Sequence, residues 1–452
     1  MGLIQVKHQF HAVGHGTFFT SNVEDFEGGC FRWGYDCGSK RPSRVEEAVE
    51  TLTYSQAWLD DTELDMVVVS HFDNDHINGL ELLLERHKVK QLVLPYMSLK
   101  TRLAHMSSSN QGEACSASTA SFTLNPAKHL VDRGLSGRVG TIVMVRGGGE
   151  GGALDVGAPL PDPGDPDAQV NFRWDDVLAD EDADEYSKAI FARAVTDKPQ
   201  VQILSHRRPV KASSGLPFEF IFYNTALPSG VTKRSGLPLS AVHSEIDFIF
   251  RTYRLQAPGR KPRKGWRKRI KECYDKHFGS NGHERNDISL CVLARPLINE
   301  VDFPECVLGT PTAPDCDEVL EVCPEWPRCP LCWPNRYVAG CERSISPSGR
   351  QALLLTGDLA LDCAEIGAMQ GHFGNWRWQQ IGLAQVPHHG SRHSWTVGNA
   401  ARFGNAQFVQ CVPTVSKYND HPHPAVVADL GTTRTHVANY EDSVVRGFCF
   451  RV

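Results

Sequence analysis

Residues 71–76 read HFDNDH. Two imidazoles and two carboxylates, His71, Asp73, Asp75 and His76, follow directly on the β-branched run LDMVVVS. Such nitrogens and oxygens are the donors that bind zinc and manganese, and a turn leaving a buried strand can aim all four at one or two ions. A lone aspartate here would read as a helix cap, with Asn74 or Asp75 opening the next helix. Four donor groups in succession favour metal binding over that simpler account. Two more apolar runs end in the same residue types: QALLLTGD in Asp358, and IGLAQVPHHGS in His388 and His389. Two divalent ions held about 3.5 to 4 Å apart acidify water and offset charge developing on a phosphoryl or carbonyl oxygen, so the implied chemistry is hydrolysis. In HPHP, His421 and His423 read either as proton donors and oxyanion partners or as a rigid polar turn.

These residues need rigid platforms. LDMVVVS is short and β-branched, the pattern of a strand buried on both faces, and INGLELLLERHKV and KQLVLPY continue as helix and strand. RVEEAVETLTYSQAWL has the spacing of an amphipathic helix, and LIQVKHQFHAVGHGTFFT and GGCFRWGYDCGS read as two strands joined by a turn. Residues 100–215 read as a polar, loop-rich insertion, with a Gly/Pro-rich run and the acidic DDVLADEDADEY. Core signals return with PFEFIFYNTAL, SLCVLARPLI, QALLLTGDLA, IGLAQVPHH, AQFVQCVPT and VRGFCFRV.

Composition sets wider bounds. With 452 residues, 41% hydrophobic and 22% charged, the chain has the make-up of a globular protein, read here as one domain spanning 1–452. A net charge of -6 argues against a globally basic nucleic-acid binder but leaves local patches open. The start lacks a basic and apolar leader, and no apolar run reaches about 18 residues, so a cytoplasmic location without membrane contact is expected. Without an export signal, the 14 cysteines read as thiols and metal ligands before disulfides.

The set HFDNDH, TGD, PHHGS and HPHP resembles the metallo-β-lactamase superfamily, within it the soluble C-terminal hydrolase domain of the ComEC competence family. VGHGTF stands where that family has V-G-Q-G-D, YDCGS where it has I-D-x-G, and NDISLCVLARP where it has N-x-x-S-L-V-L. The resemblance implies an α/β fold, an αβ/βα sandwich with two mixed sheets and family-specific insertions, and two divalent metal ions. On this likeness His71, Asp73, Asp358 and a further group would hold one ion, and Asp75, His76, Asp358 and His389 the other, with Asp358 bridging. Asp75 would also orient the nucleophile, and His388, His421 and His423 would face the substrate. His206 and Asn224 are weak choices for the missing ligand. Asp73 replaces the superfamily's second histidine, which makes the site more oxygen-rich and brings Mn2+ into competition with Zn2+. His15 replaces a glutamine and Thr17 an acidic residue, and the ComEC membrane channel has no counterpart. The family's chemistry spans phosphodiesters, lactams, thioesters and lactones; a phosphodiesterase or nuclease leads. The alternatives are a hydrolase of small nucleotides, lactones or amides, and a regulated or non-catalytic member of an assembly.

Two insertions stand apart. Residues 298–350 carry Cys306, Cys316, Cys323, Cys329, Cys332 and Cys341 around a C-P-L-C knuckle. Four of them, with Cys329, Cys332 and Cys341 joined by Cys316 or Cys323, would form a structural Zn2+ site; free thiols or a disulfide are the other readings. Residues 251–286 concentrate Arg260, Lys261, Arg263, Lys264, Arg267, Lys268, Arg269 and Lys271, helical from Lys264 onward, with Trp266, Tyr274 and Phe278 available to stack on bases. A nucleic acid, a nucleotide or a protein partner could contact this surface; plain solvation is the bland alternative.

Overall fold

The computed structural model describes residues 3–25, 28–54, 63–97, 102–103, 106, 116–147, 200–206, 209–212, 216–225, 239–255, 261–278, 289–297, 306–308, 341–342, 350–413 and 421–451. The strands, in chain order, are β1 (Leu3–Phe10), β2 (Phe18–Asp25), β3 (Cys30–Cys37), β4 (Glu63–Val68), β5 (Lys88–Pro95), β6 (Val139–Arg146), β7 (Gln200–Ser205), β8 (Val210–Lys211) and β9 (Phe218–Tyr223). They continue as β10 (Cys291–Pro296), β11 (Cys306–Leu308), β12 (Cys341–Glu342), β13 (Ala352–Leu355), β14 (Ile381–Gln385), β15 (Gln407–Cys411), β16 (Thr435–Ala438) and β17 (Val444–Arg451). One sheet has the order β12-β11-β17-β1-β2-β3-β4-β5-β6-β7 and the other β16-β15-β14-β13-β10-β9-β8. Both are mixed: β3 to β7 run parallel while β1, β2, β3 and β17 alternate, and β13 to β16 run parallel beside antiparallel β9, β10 and β13.

The sheets pack face to face. Val6, Phe19, Trp33, Met66 and Val68 from the first meet Phe220, Val292, Leu353, Leu383 and Val409 from the second in one buried core. Successive residues of a strand point to opposite faces, so β4 turns Met66 and Val68 into this core while Val67 and Val69 join a second one. There they meet Val45, Val49, Leu83 and Leu84 of the helices at Pro42–Tyr54 and Leu80–Arg86. β13 divides likewise, Leu353 and Leu355 inward and Leu354 outward against Ile366, Met369 and Phe373 of the helix Cys363–Phe373. The result is an α/β sandwich with helices outside both sheets. Among the described residues, no helix is long and apolar enough to cross a membrane.

Two expectations change. The N-terminal region forms three strands, because HAVGHG (residues 11–16) leaves the ladder as a loop between β1 and β2. The described part of residues 100–215 carries regular structure as well: it supplies β6, β7 and β8 and the helices Ala117–Leu124 and Pro126–Asp132. VGTIVMVR is the kind of β-branched run that fills a buried parallel strand, and small residues in ASTASFTL disguise a helix whose Phe122 and Leu124 are buried. The Gly/Pro-rich and acidic runs lie outside the described residues. In the basic segment, the expected helix spans Trp266–Phe278 and packs with Leu239–Tyr253 around Ile246, Phe250, Trp266, Ile270 and Tyr274. Its aromatics therefore serve a small core: Trp266 and Tyr274 are buried and do not present faces to bases, while nothing is described of the Phe278 ring.

Candidate metal centre

The expected donors lie where strand ends meet. β3 and β4 are parallel, with Tyr35 opposite Val68, so Asp36 and Ser70 leave the sheet side by side. Asp73 precedes the short helix Asn74–Ile77, which carries Asp75 and His76. From the other sheet, Asp358 follows β13, and His388 and His389 occupy a turn after β14. Leu290 N–H donates to Ser70 O at 2.8 Å and Tyr35 Oη–H to Leu290 O at 2.9 Å, tying the two edges together. Gly357 has φ 54°, and a Cβ there would lie 2.2 Å from Ser289 Oγ and 2.7 Å from Ser70 Cβ, so the TGD turn needs glycine.

Two groups of donors result. His71, His76 and Asp358 form one; His15, Asp75 and His389 form the other; in each, one donor atom per residue lies within 4.8 Å of the rest. In the first, His76 Nε2 is 3.3 Å from Asp358 Oδ1 and His71 Nε2 is 3.6 Å from Asp358 Oδ2. Asp73 Oδ2 stands 3.5 Å from His71 Nε2, and His388 Nε2 3.8 Å from Asp358 Oδ2. In the second, His389 Nε2 is 3.5 Å and His15 Nε2 3.8 Å from Asp75 Oδ2. Donors at the corners of a tetrahedron with bonds near 2.0 to 2.1 Å are separated by about 3.3 Å, whereas N–H···O bonds close to roughly 2.7 to 3.2 Å. The observed separations suit a shared cation.

The protonation pattern agrees. Ser70 Oγ–H donates to Asp36 Oδ2 at 2.7 Å, which leaves the oxygen to accept from His71 Nδ1–H at 2.8 Å. His76 Nδ1–H donates to Asp36 Oδ2 at 2.7 Å and His389 Nδ1–H to Cys411 O at 2.7 Å. Each ring thereby turns Nε2 toward the centre, the arrangement of metal-bound histidines held by a second partner. The Nε2 atoms of His15, His71, His76 and His389, and Asp358 Oδ1, are buried without a hydrogen-bond partner. Asp36, His388 and His389 adopt φ of 54°, 45° and 54°, strained values for residues with a Cβ, at the positions that aim donors inward.

Charges couple across the cluster. Burial opposes ionisation of Asp358, but His388, His76 and His71 hold its carboxyl well below the usual carboxylate range. Burial likewise works against the Asp75 carboxylate, yet the His389 contact and the His76 charge hold it down. For His76 burial favours the neutral ring, and Asp358 and Asp36 outweigh it, raising the imidazole well above its ordinary value. His15 moves the other way, pushed down to about 2 by burial and then by His389 and Lys40.

This partition differs from the one the resemblance implied. By spacing alone, His76 and Asp358 group with His71, and His15 groups with Asp75 and His389; the His76 and His389 rings lie 5.7 Å apart between centroids. His206 and Asn224 are elsewhere: Asn224 N–H donates to His206 Nδ1 at 3.2 Å, and the His206 ring lies 4.4 Å from His372. His421 does reach the rim, stacked on His388 at 5.3 Å between ring centroids, and burial followed by His388 pushes it down to about 4. His423 donates its N–H to Gly390 O at 2.9 Å, and its Nδ1 accepts from Ala425 N–H at 3.2 Å and caps the helix Pro424–Leu430, in keeping with the rigid-turn reading. Sequence reasoning missed Asp36 and Ser70 as anchors, and it met His15 only as the residue standing for a glutamine of the resembled family's motif.

The remaining candidates are weaker or out of view. Cys316, Cys323, Cys329 and Cys332 lie outside the described residues, and Cys306 and Cys341 are placed only as backbone at the edge of the first sheet. Arg260 is also outside. Arg269 pairs with Glu272 at 2.5 Å, Lys271 with Asp275 at 2.7 Å and Lys268 with Glu272 at 4.0 Å, so much of the basic helix is balanced along its own surface. Lys261, Arg263 and Lys264 are exposed before the helix, and the Arg267 guanidinium lies 5.1 Å from the Trp266 ring. A third donor group, Glu245, Cys273 and His277, is internally bonded, His277 Nε2 lying 3.0 Å from Glu245 Oε2. No protein-family model matches this chain, and no curated protein matches it.

Proposed function

We propose that this protein is a metal-dependent hydrolase of the metallo-β-lactamase fold, acting on a phosphodiester through two divalent cations. The observation that carries the reading is the convergence of four buried, unpartnered Nε2 atoms on Asp75 and Asp358 at ligand-like spacing. His71, His76 and Asp358, with Asp73 alongside, would hold one ion, and Asp75 and His389 the other. Bound there, such ions acidify water and offset the charge of a phosphoryl oxygen. The chain's own groups do the rest. Asp36 and Ser70 fix ring orientation, and Asp75 is placed to orient a water. His388, its side chain 32% exposed, can pass a proton to a leaving oxygen, with His421 stacked behind it.

The internal ion pairs of the helix Trp266–Phe278 and the burial of Trp266 and Tyr274 favour a small phosphodiester over a long nucleic acid. The test is hydrolysis of bis-p-nitrophenyl phosphate, cyclic nucleotides and single-stranded DNA and RNA by the purified chain, with metal content measured in parallel. Activity should require divalent metal and vanish in His71→Ala and Asp358→Asn. A metal-loaded protein inert on every substrate would overturn the reading.

A further inference from the structure

His15 sits in a G-H-G loop whose backbone is pinned on both sides. Gly14 N–H donates to Asn439 O at 3.1 Å, Lys40 N–H to His15 O at 2.7 Å and Thr17 N–H to Asp75 O at 3.3 Å. Gly16 has φ 145°, and a Cβ there would be 2.4 Å from Gly38 O, so the loop cannot lift away without losing its fit. The ring is only 2% exposed and lies 4.3 Å from that of His389 between centroids. Neither of its nitrogens has a hydrogen-bond partner. Within the two donor groups, His71, His76 and His389 each have one nitrogen anchored, and His15 alone has none. A buried ring with both nitrogens unsatisfied is costly to retain, and a ligand-like distance of 3.8 Å to Asp75 Oδ2 indicates what would satisfy it.

We propose that His15 is the missing ligand of the second cation, and that its site fills after the first. This rests on the two-cation reading above. The second group offers two imidazoles and one carboxylate, His15, His389 and Asp75. The first offers two imidazoles and two carboxylates, His71, His76, Asp358 and the adjacent Asp73. The extra negative charge favours the first site for a divalent ion, and neutral His15, which carries no charge of its own, leaves the second weaker. Hydrolysis would then depend on how much free metal is present beyond the first equivalent.

The experiment is a manganese titration of the metal-stripped full chain by equilibrium dialysis and calorimetry, comparing wild type with His15→Ala and His15→Gln. Manganese is chosen because thiolates in the cysteine-rich segment bind it poorly. Wild type should take up two equivalents in separate steps. Both variants should keep the first step, weaken the second by more than about 100-fold, beyond the loss typical of removing an outer partner, and melt as cooperatively as wild type without metal. A wild type that binds no manganese would overturn the two-cation reading itself. Two steps in wild type that persist unchanged in both variants would overturn only the assignment of His15. Equal weakening of both steps would show a general structural role and overturn the assignment of His15, and uptake of both equivalents by wild type in one step would overturn the order of filling.

Discussion

Asp36→Asn tests the anchoring of the centre. Asp36 is 1% exposed and accepts three hydrogen bonds, Ser70 N–H at 2.7 Å on Oδ1, and Ser70 Oγ–H and His76 Nδ1–H, each at 2.7 Å, on Oδ2. An amide has one acceptor oxygen. If that oxygen stays with Ser70 N–H, the new NH2 faces His76 Nδ1 and can be accommodated only if the ring moves its proton to Nε2, which removes the lone pair meant for metal. If the amide turns the other way, Ser70 N–H loses its acceptor. Each charge-assisted bond lost is worth about 1.5 to 3 kcal/mol, and loss of such a supporting partner lowers metal affinity roughly 10- to 100-fold. Asp36→Asn should therefore cost about 2 to 5 kcal/mol in urea unfolding of the metal-free chain and bind the first manganese at least tenfold more weakly. Ser70→Ala, which spares the His76 bond, should show the smaller share of both effects. An Asp36→Asn protein with wild-type metal affinity would refute the argument that ring orientation is set from this carboxylate.

Other outcomes follow from the same geometry. His388→Gln should retain both metal equivalents yet lower turnover by about 10²-fold or more, as loss of a positioned proton donor does; unchanged turnover would remove it from the chemistry. His423→Ala should cost about 1 kcal/mol of stability through the lost cap and leave kcat unaltered, and a large fall in kcat would restore it to the site. Because His76 and His71 are raised in the metal-free protein, their contribution to its stability is present below the ordinary value of 6.5 and lost as pH rises through the raised values. Asp358 and Asp75, held down, contribute above 3.8 and lose that contribution as pH falls toward their lowered values. Metal uptake must displace the histidine protons, so calorimetry in buffers of different ionisation enthalpy should register proton release and weaker binding at lower pH; uptake without proton release would contradict the raised imidazoles. Replacing Lys261, Arg263 and Lys264 by alanine should leave hydrolysis of bis-p-nitrophenyl phosphate unchanged, and a marked fall would place this segment at the substrate.

The donors themselves were legible in the sequence. HFDNDH, TGD and PHHGS each follow a short apolar run, and a strand buried on both faces must end in a turn that can hold polar side chains at the sheet edge. Individual strands and helices were likewise legible, because the period of apolar residues is a local property, whereas the layered sandwich was implied only by the family resemblance. Which of these side chains lie together was decided only in three dimensions. His76 joins His71 because Asp36, 40 positions earlier, draws its Nδ1 aside, and His15 enters beside His389 across a span that no local pattern connects. The helix Trp266–Phe278 makes the same point in reverse: its charges and aromatics were visible as a list, but burial of Trp266 and Tyr274 and the pairing of Arg269 and Lys271 with the next turn depend on what packs against each face. Local spacing selects strand, helix and ligand type; register between distant strands and the closing of loops over a core select the partners.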